Sequence, residues 1–233
     1  MKFIVKADEP ERLLEWKQNN AEFDDVHYDV YQFPKPEVKK SLLCEQGFIC
    51  AYTMLRVSSD SSHIEHIKPR TVSKNEIPPN YAETVEYQNL FACYPKTGVS
   101  GQPCCPFGAE LRGSWWEPEL FILPLDKTCE DRFRFLPDGS VEPTDTNDLA
   151  AQNTIERLGL DSPELKQLRV AAFDGEGILV TSENSITETE ARGLSVAVMQ
   201  RVEGKFGEFA IAIMQVAVDY ANRLMAARKN SDL

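Results

Sequence analysis

Apolar residues change their spacing several times along the chain, and each change marks a predicted element. Pro10-Glu11-Arg12-Leu13-Leu14-Glu15-Trp16-Lys17 puts Leu13, Leu14 and Trp16 toward a core, with Asp8 as candidate N-cap and Pro10 in the first turn. Residues 2–5 alternate and predict a short edge strand. Pro36 opens a second helix through Leu42-Leu43, stopped by Gly47. Residues 48–57 are rich in β-formers, Asp60-Ser61-Ser62 signals a turn, and residues 62–67 predict the return strand of a hairpin. Asn89-Leu90-Phe91-Ala92-Cys93 fits the start of a following helix.

Residues 94–118 are rich in Gly, Pro and Cys, and read either as a loop around a metal or substrate or as a disordered insertion. Trp115-Trp116 are candidates for core packing or for stacking on a base. Residues 121–125 and 131–136 predict strands, Pro137-Asp138-Gly139 a turn, and residues 140–142 a pairing partner. Arg132 and Arg134 share one face of their strand and could meet phosphate. The remainder reads as helical. Asn147 caps residues 148–158, and Ser162-Pro163-Glu164 starts a helix toward Ala172, with residues 174–177 as a boundary. Residues 187–201 follow, then a long helix over 206–228. In that helix Phe206, Ile213 and Tyr220 recur every seven residues, and the stripe suits core packing, docking on a partner or self-association. The expected class is α+β, with an N-terminal helical segment (1–47), a central unit (48–145) and a helical C-terminal region (146–233).

Charge constrains the function. The formal net charge is −12 over 233 residues, whereas a chain that grips nucleic acid unaided usually shows a basic balance. Either the acidity serves solubility, or a partner subunit supplies most of the grip. The six cysteines fit reduced thiols, the opening residues lack a signal-peptide core, and no long uncharged apolar run exists. A cytoplasmic chain with no membrane span is therefore expected. No GxxxxGK[ST] loop is present, so ATP hydrolysis by this chain is not expected, and the absence of GxSxG gives a hydrolase elbow no support.

The candidate chemistry sits in Ser62-His63-Ile64-Glu65-His66-Ile67-Lys68-Pro69-Arg70. Glu65 is a hard oxygen donor of the kind Mg²⁺ or Mn²⁺ prefers. His66 can act as a base near neutrality, and His63 shares the Glu65 face of a strand. A metal-bound phosphate beside a base that activates water is an arrangement for phosphodiester hydrolysis.

Around this block stand Glu45-Gln46-Gly47-Phe48-Ile49-Cys50-Ala51-Tyr52, then Glu86-Tyr87-Gln88-Asn89-Leu90-Phe91-Ala92-Cys93, then Cys105-Pro106-Phe107-Gly108-Ala109-Glu110-Leu111-Arg112. The order resembles the HNH (ββα-metal) nuclease superfamily, in particular the PtuB-type proteins of Septu and retron-associated anti-phage defence systems. Met1-Lys2-Phe3-Ile4-Val5-Lys6, Asp148-Leu149-Ala150-Ala151-Gln152 and Leu158-Gly159-Leu160 support the resemblance at the flanks. It implies a ββα-metal core within residues 48–145, with Glu65 as first metal ligand, His66 as general base and Asn89 orienting the histidine backbone. The third metal position, commonly His, falls at Glu110. Arg112, His63 and Lys68 are candidates to bind substrate. Cys50, Cys93 and Cys105 are candidates for a structural zinc, although Thr53 stands where a CxxC pair would have its second sulfur. The resemblance further implies a divalent Mg²⁺ or Mn²⁺, a nucleic-acid substrate (DNA by default, RNA as alternative) and an ATPase partner of PtuA type. The competing reading is a binding or assembly scaffold that has lost its metal.

Overall fold

The computed structural model describes residues 1–96 and 105–231. Helix α1 (Glu11–Asn19) buries Leu13 and Trp16. Pro10, not Asp8, holds the N-cap position, and no side chain caps the helix. The ring of Pro10 presets the backbone for the first turn, which leaves Asp8 two residues too early. Helix α2 (Lys35–Glu45) carries Pro36 in its first turn and buries Val38, Leu42 and Leu43. Gly47 follows at φ +61°, where a Cβ would lie 2.5 Å from the Phe206 ring. Only glycine fits there.

Residues 48–57 do not form the expected strand. Phe48 and Met54 take positive φ, and the segment curls through Cys50 N–H to Leu55 O and Met54 N–H to Cys50 O. One bridge, Ile49 to Arg56, is all the strand pairing it makes. Residues 49–55 are buried without a break and so carry no period of two to favour an extended chain, and their side chains pack equally well in a tight turn.

Strand β1 (His63–His66) pairs instead with β2 (Leu90–Cys93), antiparallel, with Glu65 opposite Phe91 and His66 opposite Leu90. The expected helix start after Asn89 is thus a strand, buried along its whole length. Helix α3 (Arg70–Lys74) and two 3₁₀ turns connect the strands. The outer edge of β2 is sealed by buried Gln46, whose amide donates to Ala92 O (2.8 Å) and Ile49 O (2.9 Å) and accepts from Ala92 N–H (2.7 Å). Helix α4 (Ala109–Arg112) follows, set between Gly108 at φ +80° and Gly113 at φ +57°. Part of the Gly/Pro/Cys-rich stretch, 97–104 with Cys104, lies outside the described residues.

Residues 121–125 are not a strand either. Pro118 starts a 3₁₀ turn, Pro124 O accepts from Ile4 N–H, and Ile122 N–H donates to Thr154 Oγ1. That single Ile4 bond stands in place of the edge strand expected for residues 2–5. Both Trp115 and Trp116 pack edge-on against Phe121. The second sheet matches expectation: β3 (Phe133–Phe135) and β4 (Val141–Pro143) pair around the Pro137-Asp138-Gly139 turn. Arg132 is clasped by the carboxylate of Asp148, and Arg134 stands opposite Glu142.

Helix α5 (Leu149–Arg157) is capped by Asp148, one residue after the expected Asn147, with its carboxylate accepting from Ala151 N–H. Helix α6 (Pro163–Gly175) has Ser162 as cap, and α7 (Glu188–Ala197) carries a Thr187–Glu190 capping box. Helix α8 (Ala210–Ser231) lies against α7, α6 and β3 and buries Ile213, Val216, Ala217 and Tyr220. The helix starts four residues later than expected and leaves Phe206 before it, and the stripe through Ile213 and Tyr220 is used inside the chain. One buried cluster holds residues from all three expected stretches. Among the described residues no helix is long and apolar enough to cross a membrane.

Replacing Gln46 with Ala should destabilise the chain by about 2 kcal/mol or more, because backbone groups of β2 lose buried partners. Chemical denaturation checks this, and an unchanged midpoint would contradict the sealing role.

Candidate functional site

Strand β1 alternates. His63 and Glu65 are half-buried on one side, and Ile64 and His66 are buried on the other. A cleft of about 750 Å³ runs along it, reached by both Glu65 and His66 and walled by the segment around Tyr28, α2, α3 and α4. Lys35, Lys39, Arg70, Lys74, Lys96 and Arg112 line the cleft, against the carboxylates of Asp29, Glu65 and Glu110. Cations outnumber carboxylates two to one there, on a chain of net charge −12.

His66 is 5% exposed, and its Nε2 lies 2.9 Å from Thr84 O. A carbonyl only accepts, so Nε2 carries the hydrogen and Nδ1 keeps the basic lone pair. Tyr28 meets the imidazole edge-on at 4.7 Å. Burial pushes the His66 pKa down to about 4, so the ring is neutral at neutral pH.

Both oxygens of Glu65 are engaged. Oε1 accepts from Arg112 Nη2, and Oε2 lies 3.4 Å from His63 Nε2. Burial works to raise this carboxyl, but the His63 hydrogen bond and the Arg112 charge outweigh it and hold it below its ordinary value. His63 shows the reverse balance. Burial lowers it, while the Glu65 hydrogen bond and charge, and Pro95 O, raise it overall.

Arg112 is turned inward rather than toward a phosphate, and is 4% exposed. Its guanidinium donates to Ile67 O (2.6 Å), His66 O (2.7 Å) and Glu65, and lies over the rings of Phe121 (5.2 Å) and Tyr52 (5.6 Å). Lys68 lies outside the cleft lining and is held by Glu76 and Glu83. Asn89 does not bond the His66 backbone. Its Oδ1 accepts from Lys68 N–H (2.8 Å), and its Nδ2 donates to Lys68 O (3.2 Å) and Glu83 O (3.1 Å). The clasp falls two residues past the histidine because Asn89 precedes β2 and faces the chain where it leaves β1.

Glu110 reaches the cleft and accepts from Cys105 N–H (3.0 Å). Among the described residues no group of three or more His, Cys, Asp or Glu side chains is placed to hold a metal. With both Glu65 oxygens taken, this donor set does not fit a divalent ion. The zinc expectation meets the same shortfall. Cys50 and Cys93 are buried neighbours, but Thr53 hydrogen-bonds Cys50 where a further sulfur would be needed. Burial pushes the Cys50 thiol up, yet hydrogen bonds from Cys93 and Thr53 bring it down to about 6.

No protein-family model matches the chain. A curated protein of Vibrio cholerae serotype O1 biovar El Tor, named "Retron Vc95 putative HNH endonuclease", is 28% identical over 162 residues, covering 68% of this chain and 74% of that protein. The likeness supports a relationship to HNH nucleases. Tyr28 and Asp29, and Lys35 and Lys39 of α2, line the cleft without having been singled out from the sequence, because neither an irregular stretch nor the polar side of a helix signals which strand it will face.

An unfolded chain takes up the His66 proton near 6.5, and the folded chain only near about 4, so this residue's contribution to stability falls as pH drops through that window. A folded His66→Gln variant should lose less stability than the parent over the same range, by up to roughly 3 kcal/mol. Thermal unfolding against pH measures this, and parallel curves would contradict a buried neutral imidazole.

Proposed function

We propose that the chain is an HNH-type nuclease that hydrolyses phosphodiester bonds of nucleic acid in the cleft along β1, within an anti-phage defence system. The observation that carries this reading is a cation-lined cleft around a strand bearing His63, Glu65 and His66, on an otherwise acidic chain. Lysines and arginines there suit a phosphate backbone. Neutral His66, with Nε2–H fixed on Thr84 O, offers Nδ1 to take a proton from water. The ββα core rests on the resemblance; here α3 and two 3₁₀ turns separate β1 from β2, α4 has one turn, and Asn89 braces the chain beyond β1. The defence setting rests on the resemblance and on the retron name of the Vibrio cholerae relative. The resemblance also brings an ATPase partner of PtuA type, which would present DNA, or RNA, to the cleft.

The engaged Glu65 and the lack of a three-ligand group among the described residues favour a second reading, a scaffold that binds nucleic acid or its partner without cutting. Incubating the purified chain, alone and with its ATPase partner, with plasmid DNA and with RNA separates the two. The nuclease reading expects cleavage that falls at least about a hundredfold in His66→Ala. Cutting by that variant as fast as the parent would overturn the role of His66, and binding without cutting would favour the scaffold.

A further inference from the structure

We propose that Arg112 is the resident countercharge of Glu65 and keeps divalent metal off it, occupying with its guanidinium the place that the HNH resemblance gives to a metal ion. The inference rests on the proposed function only in taking the β1 cleft as the reactive site. Three observations carry it. First, Glu65 has no unengaged oxygen, since Oε1 accepts from Arg112 and Oε2 faces His63 at 3.4 Å. Second, Arg112 is not a surface side chain that can swing aside. Its side chain is 1% exposed and lies against Phe121 and Tyr52. A metal that captured Glu65 would strip the buried guanidinium of its paired carboxylate and leave it with the His66 and Ile67 carbonyls. Third, α4 is a short helix fixed between Gly108 and Gly113 at positive φ, and Gly108 N–H donates to Leu158 O at 2.7 Å. Arg112 is delivered to β1 by backbone that is itself anchored.

A divalent ion beside Arg112 would also face its positive charge across a site of low dielectric. Glu110 offers no cage to offset this, because no group of three candidate ligands exists among the described residues and one of its oxygens already accepts from Cys105 N–H. The cleft therefore carries a built-in organic cation where a loaded metalloenzyme would carry an exchangeable inorganic one.

Mn²⁺ titration of the full chain, followed by the electron paramagnetic resonance of free aquo-Mn²⁺, tests this without reference to cleavage. The parent should show no saturable site below millimolar Mn²⁺ and should match Glu65→Gln. Arg112→Gln, checked for fold by circular dichroism, should bind Mn²⁺ at least about tenfold more tightly than the parent. The Glu65→Gln/Arg112→Gln double variant should lose that gain. Tight binding by the parent that Glu65→Gln abolishes would overturn the proposal, as would a folded Arg112→Gln with no gain. If Arg112→Gln does not fold, the parent against Glu65→Gln decides alone: equal weak binding supports the proposal, and Glu65-dependent tight binding overturns it. Failure of nuclease activity would leave these binding results unchanged, so the two readings fail separately.

Discussion

Arg112 reaches from α4 to β1 and bonds three of its neighbours there, the Glu65 carboxylate and the carbonyls of His66 and Ile67. A two-stranded sheet is marginal by itself in water. Here each edge is held by a buried side chain from elsewhere, Gln46 on β2 and Arg112 on the end of β1. Asn89 adds a third clasp where the chain leaves β1. The strand that carries the candidate chemistry is therefore rigid because polar groups, and not only apolar packing, fix it. The same ties set the electrostatics, because the guanidinium that braces the strand also neutralises its carboxylate.

Net charge and local charge point in opposite directions. The acidic residues of this chain are spread over its helices and turns, whereas lysines and arginines from four separate segments converge on one cleft. Lys39 is among them, with its ammonium bound to Ser62 O at 2.8 Å beside the start of β1. Asp29 partly offsets the group by pairing with Arg70 and Lys74. The potential felt by a phosphate depends on this arrangement rather than on the sum over the chain.

Local signals in the sequence were legible where local physics decides. Ser162 before Pro163 satisfies the first N–H groups of α6, and the Pro-Asp-Gly turn joins β3 to β4 as its residue types require. The His63–Glu65 face followed from strand alternation alone. What stayed hidden was set by distant partners. Residues 48–57 have strand composition but curl, because Phe48 and Met54 adopt left-handed backbone and residues 49–55 are all enclosed by the core. Strand β1 passed over its neighbour in sequence to pair with β2, and the tie between Glu65 and Arg112 spans 47 positions with no motif to announce it. Asn89 was singled out from the sequence, but the backbone it clasps, that of Lys68, depended on a register that only the fold supplies.

The central claim is that the cleft along β1 receives nucleic-acid phosphate despite the acidity of the chain. Fluorescence anisotropy of a labelled oligonucleotide over a range of salt concentrations tests it directly. The account predicts binding that weakens with salt, by a log–log slope of about 0.9 for each duplex phosphate engaged, and a shallower slope when Lys39 and Arg70 are both changed to Glu. Binding that ignores salt, or that the double change leaves as tight as the parent, would contradict it.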